Sequence, residues 1–337
     1  METGRSLEEE LFLDVNEIDL DKYRNHKHEI RNPLFFREEL VKHFSSDPNE
    51  KGAPLPWSSM SSMKFRVGEV SVWSGQNFHG KSALLTQCLT SWMRDGYSDK
   101  KEKILLISPE FSPAANLARI VQQVIAKSPG EIIEADVTAV LLWLEKRFLI
   151  YDAVGSVEIE DLIAVMYWSQ AEKGITQVVI DNLTVLKLPS SDINQAQAEL
   201  QTEFVQCARQ SGLHIHVVAH TRKPNPGEAV SRYNIRGASQ LSDLADNVLV
   251  VERNESKEKK LGDINLSEED RQEVRRQSDT RLHVVKQRHG SAWIGVGKLY
   301  FDPMSMRWSE KMNAVGRPFN EVVDMASLGG GLRAGTV

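Results

Sequence analysis

One octapeptide constrains this chain more than any other feature. Gly75, Gln76, Asn77, Phe78, His79, Gly80, Lys81 and Ser82 match the pattern G-x-x-x-x-G-K-[ST]. The run EVSVW at 69–73 reads as a strand, and 81–94 reads as an amphipathic helix. Strand, glycine turn and helix in that order direct unpaired backbone N–H groups at a phosphate. Lys81 then supplies a cation to the β- and γ-phosphates, and the Ser82 hydroxyl can ligate Mg²⁺. The chemistry predicted is binding of a nucleoside triphosphate such as ATP. Phe78 and His79 are bulkier than the residues common in such loops, and contact with the base, contact with a neighbouring subunit and simple space filling stand open for them.

The rest of the chain repeats the same alternation. Strands are expected at 103–107, 148–151, 177–181, 214–219 and 247–251, separated by helices at 113–126, 159–173 and 195–210. A hairpin is expected from 282–287 and 293–301. Strands interleaved with helices mean βαβ units and a mainly parallel twisted sheet flanked by helices, an α/β fold. Residues 46–62 are rich in Ser, Pro and Gly and read as a boundary loop. The division expected is an acidic arm and linker over 1–55, with a short helix at 8–13, then a motor domain over 56–312 and a disordered tail over 313–337. The charged segment 253–280 reads as a solvated insertion, with Ser267 and Asp270 as a capping box for one short helix.

Composition narrows the class. Lysines and arginines number 41 against 47 acidic residues, a net charge of −6. The first 21 residues carry eight acids against Arg5, so the remainder is near neutral. That rules out a bulk polycation and leaves room for a local basic groove. No apolar run approaches the ~18 residues a membrane helix needs, and the amino terminus has no signal-peptide pattern. Two cysteines, Cys88 and Cys207, make no disulfide framework. A cytoplasmic protein is expected.

A phosphate loop needs a second carboxylate on the metal side, and Asp181 ends the run QVVID as such a residue should. Glu110 follows the strand KILLIS at the same sheet edge, where it can polarise an attacking water or merely cap a helix. His220 ends HIHVVAH where a polar sensor of the γ-phosphate would stand; His214 and His216 on that strand read as structural.

With these points fixed, the chain resembles the DnaB-like, superfamily 4 hexameric replicative helicases, which include phage primase-helicases and the mitochondrial helicase Twinkle. The likeness covers about residues 55–310. MKFRVGEVSVWSGQNFHGKS is similar to the family's entry into its phosphate loop, ILLISPEFSPAANLAR to the segment carrying the catalytic base, and VVIDNLTVL to the Walker B segment. HVVAHTRKP resembles the sensor motif, and YNIRGASQLSDLADNVLVVER the DNA-binding motif and its following strand. VVKQRHGSAWIGVGKLYFDPMSMRW resembles the hairpin that carries a lysine and an arginine finger.

The resemblance implies a RecA-like P-loop NTPase core, with Glu110 as base, Asp181 on the metal, His220 as sensor, and Lys286 and Arg288 as the finger pair. It also implies an ATP-driven, ring-forming DNA helicase, in the form of a homo-hexamer on single-stranded DNA. Arg222, Lys223, Arg232 and Arg236 form the expected DNA-binding set with Gly237 and Ser239, since six basic loops facing a ring's centre would track a strand's phosphates. No primase or collar domain fits in the 55 residues ahead of the motor, and a separate primase or other replication proteins are expected partners. A bacterial or phage-infected cytoplasm is the expected setting, with an organelle as the alternative. Two other readings share features with this one: a RecA/RadA-like recombinase, and an ATP-gated loader with little turnover.

Overall fold

The computed structural model describes residues 32–45, 52–95, 102–109, 111–152, 158–182, 193–220, 239–290 and 293–328. The chain divides into two units, Met1–Pro48 and Asn49–Val337. In the first, a 3₁₀ turn at Pro33–Phe36, capped by the Asn32 side chain, leads into helix α1, Arg37–Ser45. The helix expected at 8–13 lies outside the described residues.

The second unit is built on one nine-stranded sheet. The short strands β1 (Ala53–Pro54) and β2 (Lys64–Phe65) pair with each other. Six strands then run parallel: β3 (Val70–Ser74), β4 (Ile104–Ile107), β5 (Phe148–Tyr151), β6 (Gln177–Ile180), β7 (His214–Val218) and β8 (Asn247–Arg253), in the spatial order 8-3-7-6-4-5. Three antiparallel strands, β9 (Thr280–Gln287), β10 (Gly295–Asp302) and β11 (Arg307–Ser309), extend the β8 side.

Burial follows from that arrangement. β3, β4, β6 and β7 are buried along their whole length, as strands covered on both faces must be. Leu106 packs with α2 (Lys81–Asp95) and α3 (Pro113–Ile125) on one face; Leu105 and Ile107 pack with α5 (Ile159–Lys173) and α6 (Ile193–Ser211) on the other. Ser112 caps α3, its Oγ accepting from the Ala115 N–H at 3.3 Å, with Pro113 in the first turn. The fold is α/β, a mainly parallel sheet with helices on both faces, as the alternation of strands and helices predicts. No described helix is long and apolar enough to cross a membrane.

Helix α4 (Glu134–Leu144) buries Ala139, Val140 and Trp143. Three regions differ from expectation. Within the expected boundary loop, Ala53, Leu55, Trp57 and Met60 are core residues, and Trp57 Nε1 donates to the Trp308 carbonyl at 3.0 Å. The insertion forms two helices, α8 (Glu255–Leu261) and α9 (Glu268–Arg276). Ser267 caps α9 as its sequence predicts, whereas α8 is anchored by buried Lys257, which donates to Asp279 Oδ1 and the Gln277 carbonyl at 2.6 Å each.

The disordered tail expected from 313 needs the largest correction, because α10 (Asn320–Leu328) is folded and docked. Phe319 and Val322 are buried, the Phe319 ring meets Trp143 edge-on at 5.7 Å, and Trp143 Nε1 donates to Glu321. Two apolar anchors outweigh a polar, glycine-rich composition once a complementary surface exists. Residues 329–337 lie outside the described part.

Candidate nucleotide site

The site is assembled at the carboxyl ends of β3, β6 and β7. Buried β3 feeds directly into the loop, and α2 begins at Lys81. Backbone approach fixes the loop's composition: a Cβ on Gly75 would stand 2.5 Å from the Val251 carbonyl oxygen. Gly80 has φ +84°, and its Cβ would press on the Trp308 ring at 3.1 Å. Lys81 is buried, and its Nζ donates to the carbonyls of Gly75 and Gln76 at 2.9 Å each. Ser82 is the next residue of α2, in the first helical turn.

The same Nζ lies 3.3 Å from His220 Nδ1, and His220 Nε2 lies 3.2 Å from Asn182 Nδ2. Buried Asp181 precedes Asn182, its N–H held by the Ile107 carbonyl at the end of β4. Lys81, Asp181 and His220, found in three separate motifs, therefore meet at one sheet edge. The described residues hold no cluster of three or more His, Cys, Asp or Glu side chains suited to a metal.

Sequence reasoning overlooked four participants. Asn182 links His220 to Asp181, and its only signal was adjacency to that aspartate. Arg119, on α3, faces Asp181; burial lowers its guanidinium from the ordinary value while the carboxylate raises it. Arg253 and Phe301 line a cavity of about 420 Å³ beside Phe78, His79 and Gly80. Arg253 comes from the end of β8 and Phe301 from the end of β10, so nothing local in the sequence joins either to the loop.

Lys286 and Arg288 stand elsewhere. Gln287 pairs with Asn247, which is in register with Ser71 near the start of β3, and Asp246 Oδ2 accepts from the Val70 N–H at 3.0 Å. The pair thus lies at the amino edge of the parallel strands, about 13 Å along the strand direction from the phosphate loop. Spacing of two puts both side chains on one face of the strand. Lys286 Nζ donates to the carbonyls of Ser242 and Asp243 in α7 (Ser239–Leu244), at 2.9 and 2.8 Å. Arg288 donates to Asp246 Oδ1 at 3.1 Å and to the Asp243 carbonyl at 3.2 Å. Glu110, Arg222, Lys223, Arg232, Arg236 and Gly237 lie outside the described residues, and Ser239 is placed only as the first residue of α7.

The model of a family described as "AAA domain" matches residues 45–226, more than half of the chain. A DNA helicase/primase of Enterobacteria phage T3 is 24% identical over 204 residues, 56% of this chain and 36% of that protein. The chain thus spans about a third of the length of this curated relative. A solved structure described as an ATPase domain superposes with a TM-score of 0.66 at 14% identity, covering 81% of this chain and 98% of that one. A DnaB-like replicative helicase, whose structure was described with its interactions with primase, gives 0.65 at 14% identity, covering 88% and 72%.

Proposed function

Because the chain belongs to the AAA-domain family, we propose that it is an ATP-dependent, ring-forming DNA helicase. Hydrolysis would drive movement along single-stranded DNA and duplex unwinding in replication. The observation that carries this reading is the meeting of Lys81, His220 and the Asp181–Asn182 pair at one sheet edge, with Lys286 and Arg288 at the other. The motor is assigned to residues 56–312, working in a bacterial or phage-infected cytoplasm. A primase on a separate chain is the proposed partner; of the similar proteins, one is itself a helicase/primase and another is described with primase.

The loop amides and Lys81 bind and orient the triphosphate, and the lysine neutralises charge that builds on the transferred phosphoryl group. Mg²⁺ fits the donors at hand: a hydroxyl on Ser82 and a buried carboxylate on Asp181 are oxygen ligands for a hard cation that keeps several waters. When bound there, it would supply charge neutralisation to the triphosphate. Glu110 takes a proton from the attacking water as its oxygen bonds to the γ-phosphorus and the bridging P–O bond breaks. Arg288 meets the phosphates of a neighbour, since a head-to-tail ring pairs the carboxyl edge of one subunit with the amino edge of the next. The basic segment 222–236 tracks the DNA strand.

The test is unwinding of a forked duplex with ATP, beside electron microscopy of the protein with an ATP analogue and single-stranded DNA. ATP-dependent unwinding by hexameric rings supports the reading. DNA-stimulated hydrolysis on filaments without unwinding would instead identify a recombinase.

A further inference from the structure

Phe78 occupies the phosphate loop in a conformation that favours glycine, with φ +64°. Its side chain is 90% exposed, so burial within its own chain offsets none of that strain. The backbone around it is fastened down. His79 Nδ1 accepts from the Arg253 N–H at 3.2 Å, His79 Nε2 lies 3.4 Å from Glu255 Oε1, and the Phe78 carbonyl accepts from the Arg253 guanidinium at 3.4 Å. Only the ring of Phe78 is left to act, and it lines the cavity of about 420 Å³ that opens beside Gly80.

Other walls of that cavity are aromatic. Phe301 and Trp308 both line it, their ring centroids 4.8 Å apart and tilted at 45°. The cavity adjoins the phosphate loop at Phe78, His79 and Gly80, and a planar base presents a π-face to a ring. From this geometry we propose that Phe78 stacks on the nucleobase of the bound nucleotide and sets a preference for purines over pyrimidines. The inference rests on the nucleotide-site reading and adds the residue that discriminates the base.

The experiment is calorimetric titration of the full chain with ATP, CTP and inorganic tripolyphosphate, for wild type, Phe78→Gly and Phe78→Trp. Phe78→Gly should weaken ATP binding roughly tenfold, in line with the loss of one stacked ring, and CTP binding by less. Its affinity for tripolyphosphate should hold, and its melting temperature should not fall, because glycine relieves the positive φ. Phe78→Trp should keep or tighten ATP binding. Equal weakening of ATP and tripolyphosphate would make Phe78 a determinant of loop shape and overturn the proposal. Unchanged ATP affinity with lost oligomerisation would place the ring at a subunit boundary and overturn it equally. A wild-type chain that binds neither ATP nor tripolyphosphate would bring down the nucleotide-site reading itself.

Discussion

At the carboxyl ends of β3, β6 and β7 the chain gathers Lys81, Asp181, Asn182 and His220; at the amino ends of β3 and β8 it gathers Asp246, Lys286 and Arg288. The first group stands on turns that follow fully buried parallel strands, so backbone register alone brings it together. In the second, Asp246 precedes β8, whereas Lys286 and Arg288 come from an antiparallel hairpin added to the sheet after two insertion helices. Each group holds a lysine on backbone carbonyls of the same chain, Lys81 on Gly75 and Gln76 and Lys286 on Ser242 and Asp243. The difference lies in direction: the edges point opposite ways, so a single copy cannot bring them face to face, and a second copy related head to tail can. Segment 221–238 begins after His220 at one edge and ends before α7, whose carbonyls hold Lys286 and Arg288 at the other.

The sharpest way to break this comparison is to damage one edge at a time. Arg288→Ala should lose at least ~10³ in ATP hydrolysis, and Lys81→Ala should be inactive as well. Mixed after shown co-assembly, the two inactive proteins should recover part of the activity, because some interfaces then pair an intact loop with an intact arginine. A mixture dead at every ratio would place Arg288 outside its neighbour's site.

Within the carboxyl edge, Glu110→Gln should keep nucleotide affinity while hydrolysis falls by ~10²–10⁴, since an amide cannot accept the water's proton. Single-turnover hydrolysis beside equilibrium binding checks this. A parallel loss of affinity would make Glu110 a structural or metal residue.

Between the edges lies a buried polar layer that includes Glu69, His214 and His216. Burial lowers His214 to about 4 and His216 well below 6.5. His216 Nδ1 accepts from Trp73 Nε1 at 3.1 Å and its Nε2 meets Gln177 Oε1 at 3.0 Å, a pattern that suits the neutral ring. A histidine depressed on folding stabilises fully above its unfolded pKa and loses that as pH falls toward the folded one. For His214 the window is 6.5 down to about 4, about 3 kcal/mol. Burial raises Glu69 to about 6, which acts in the opposite sense: its protonated form stabilises below 4.5, and that is lost as pH rises through about 6, about 2 kcal/mol. Two histidines outweigh one glutamate, so urea midpoints should climb from pH 4 to 6.5. A flat profile would mean the rings are solvated.

The smallest effect concerns the segment joining the edges. Removing Arg222, Lys223, Arg232 and Arg236 should weaken binding of single-stranded DNA and flatten its salt dependence, by ~0.7 in the slope of log K against log salt for each lost contact. A preserved slope, measured by fluorescence anisotropy across salt concentrations, would put the DNA elsewhere.

What the sequence determined by itself was local. Hydrophobic runs of four or five residues specified the strands, and 3.6-residue periodicity specified α2 and α3, because both patterns are written in adjacent residues. The loop Gly75–Ser82 declared its chemistry through spacing, and the two-residue interval of Lys286 and Arg288 put them on one side of a strand. The tertiary structure decided what depends on distant partners. Phe319 and Val322 hold α10 only because Trp143 and its neighbours present a surface, and a polar composition concealed that. Arg253 and Phe301 reach the loop through strand order, with β8 beside β3 and β10 beyond β9. The opposite placement of the two edges follows from the same order: β9 runs antiparallel to β8, and no periodicity in a single chain encodes which strand it will pair with.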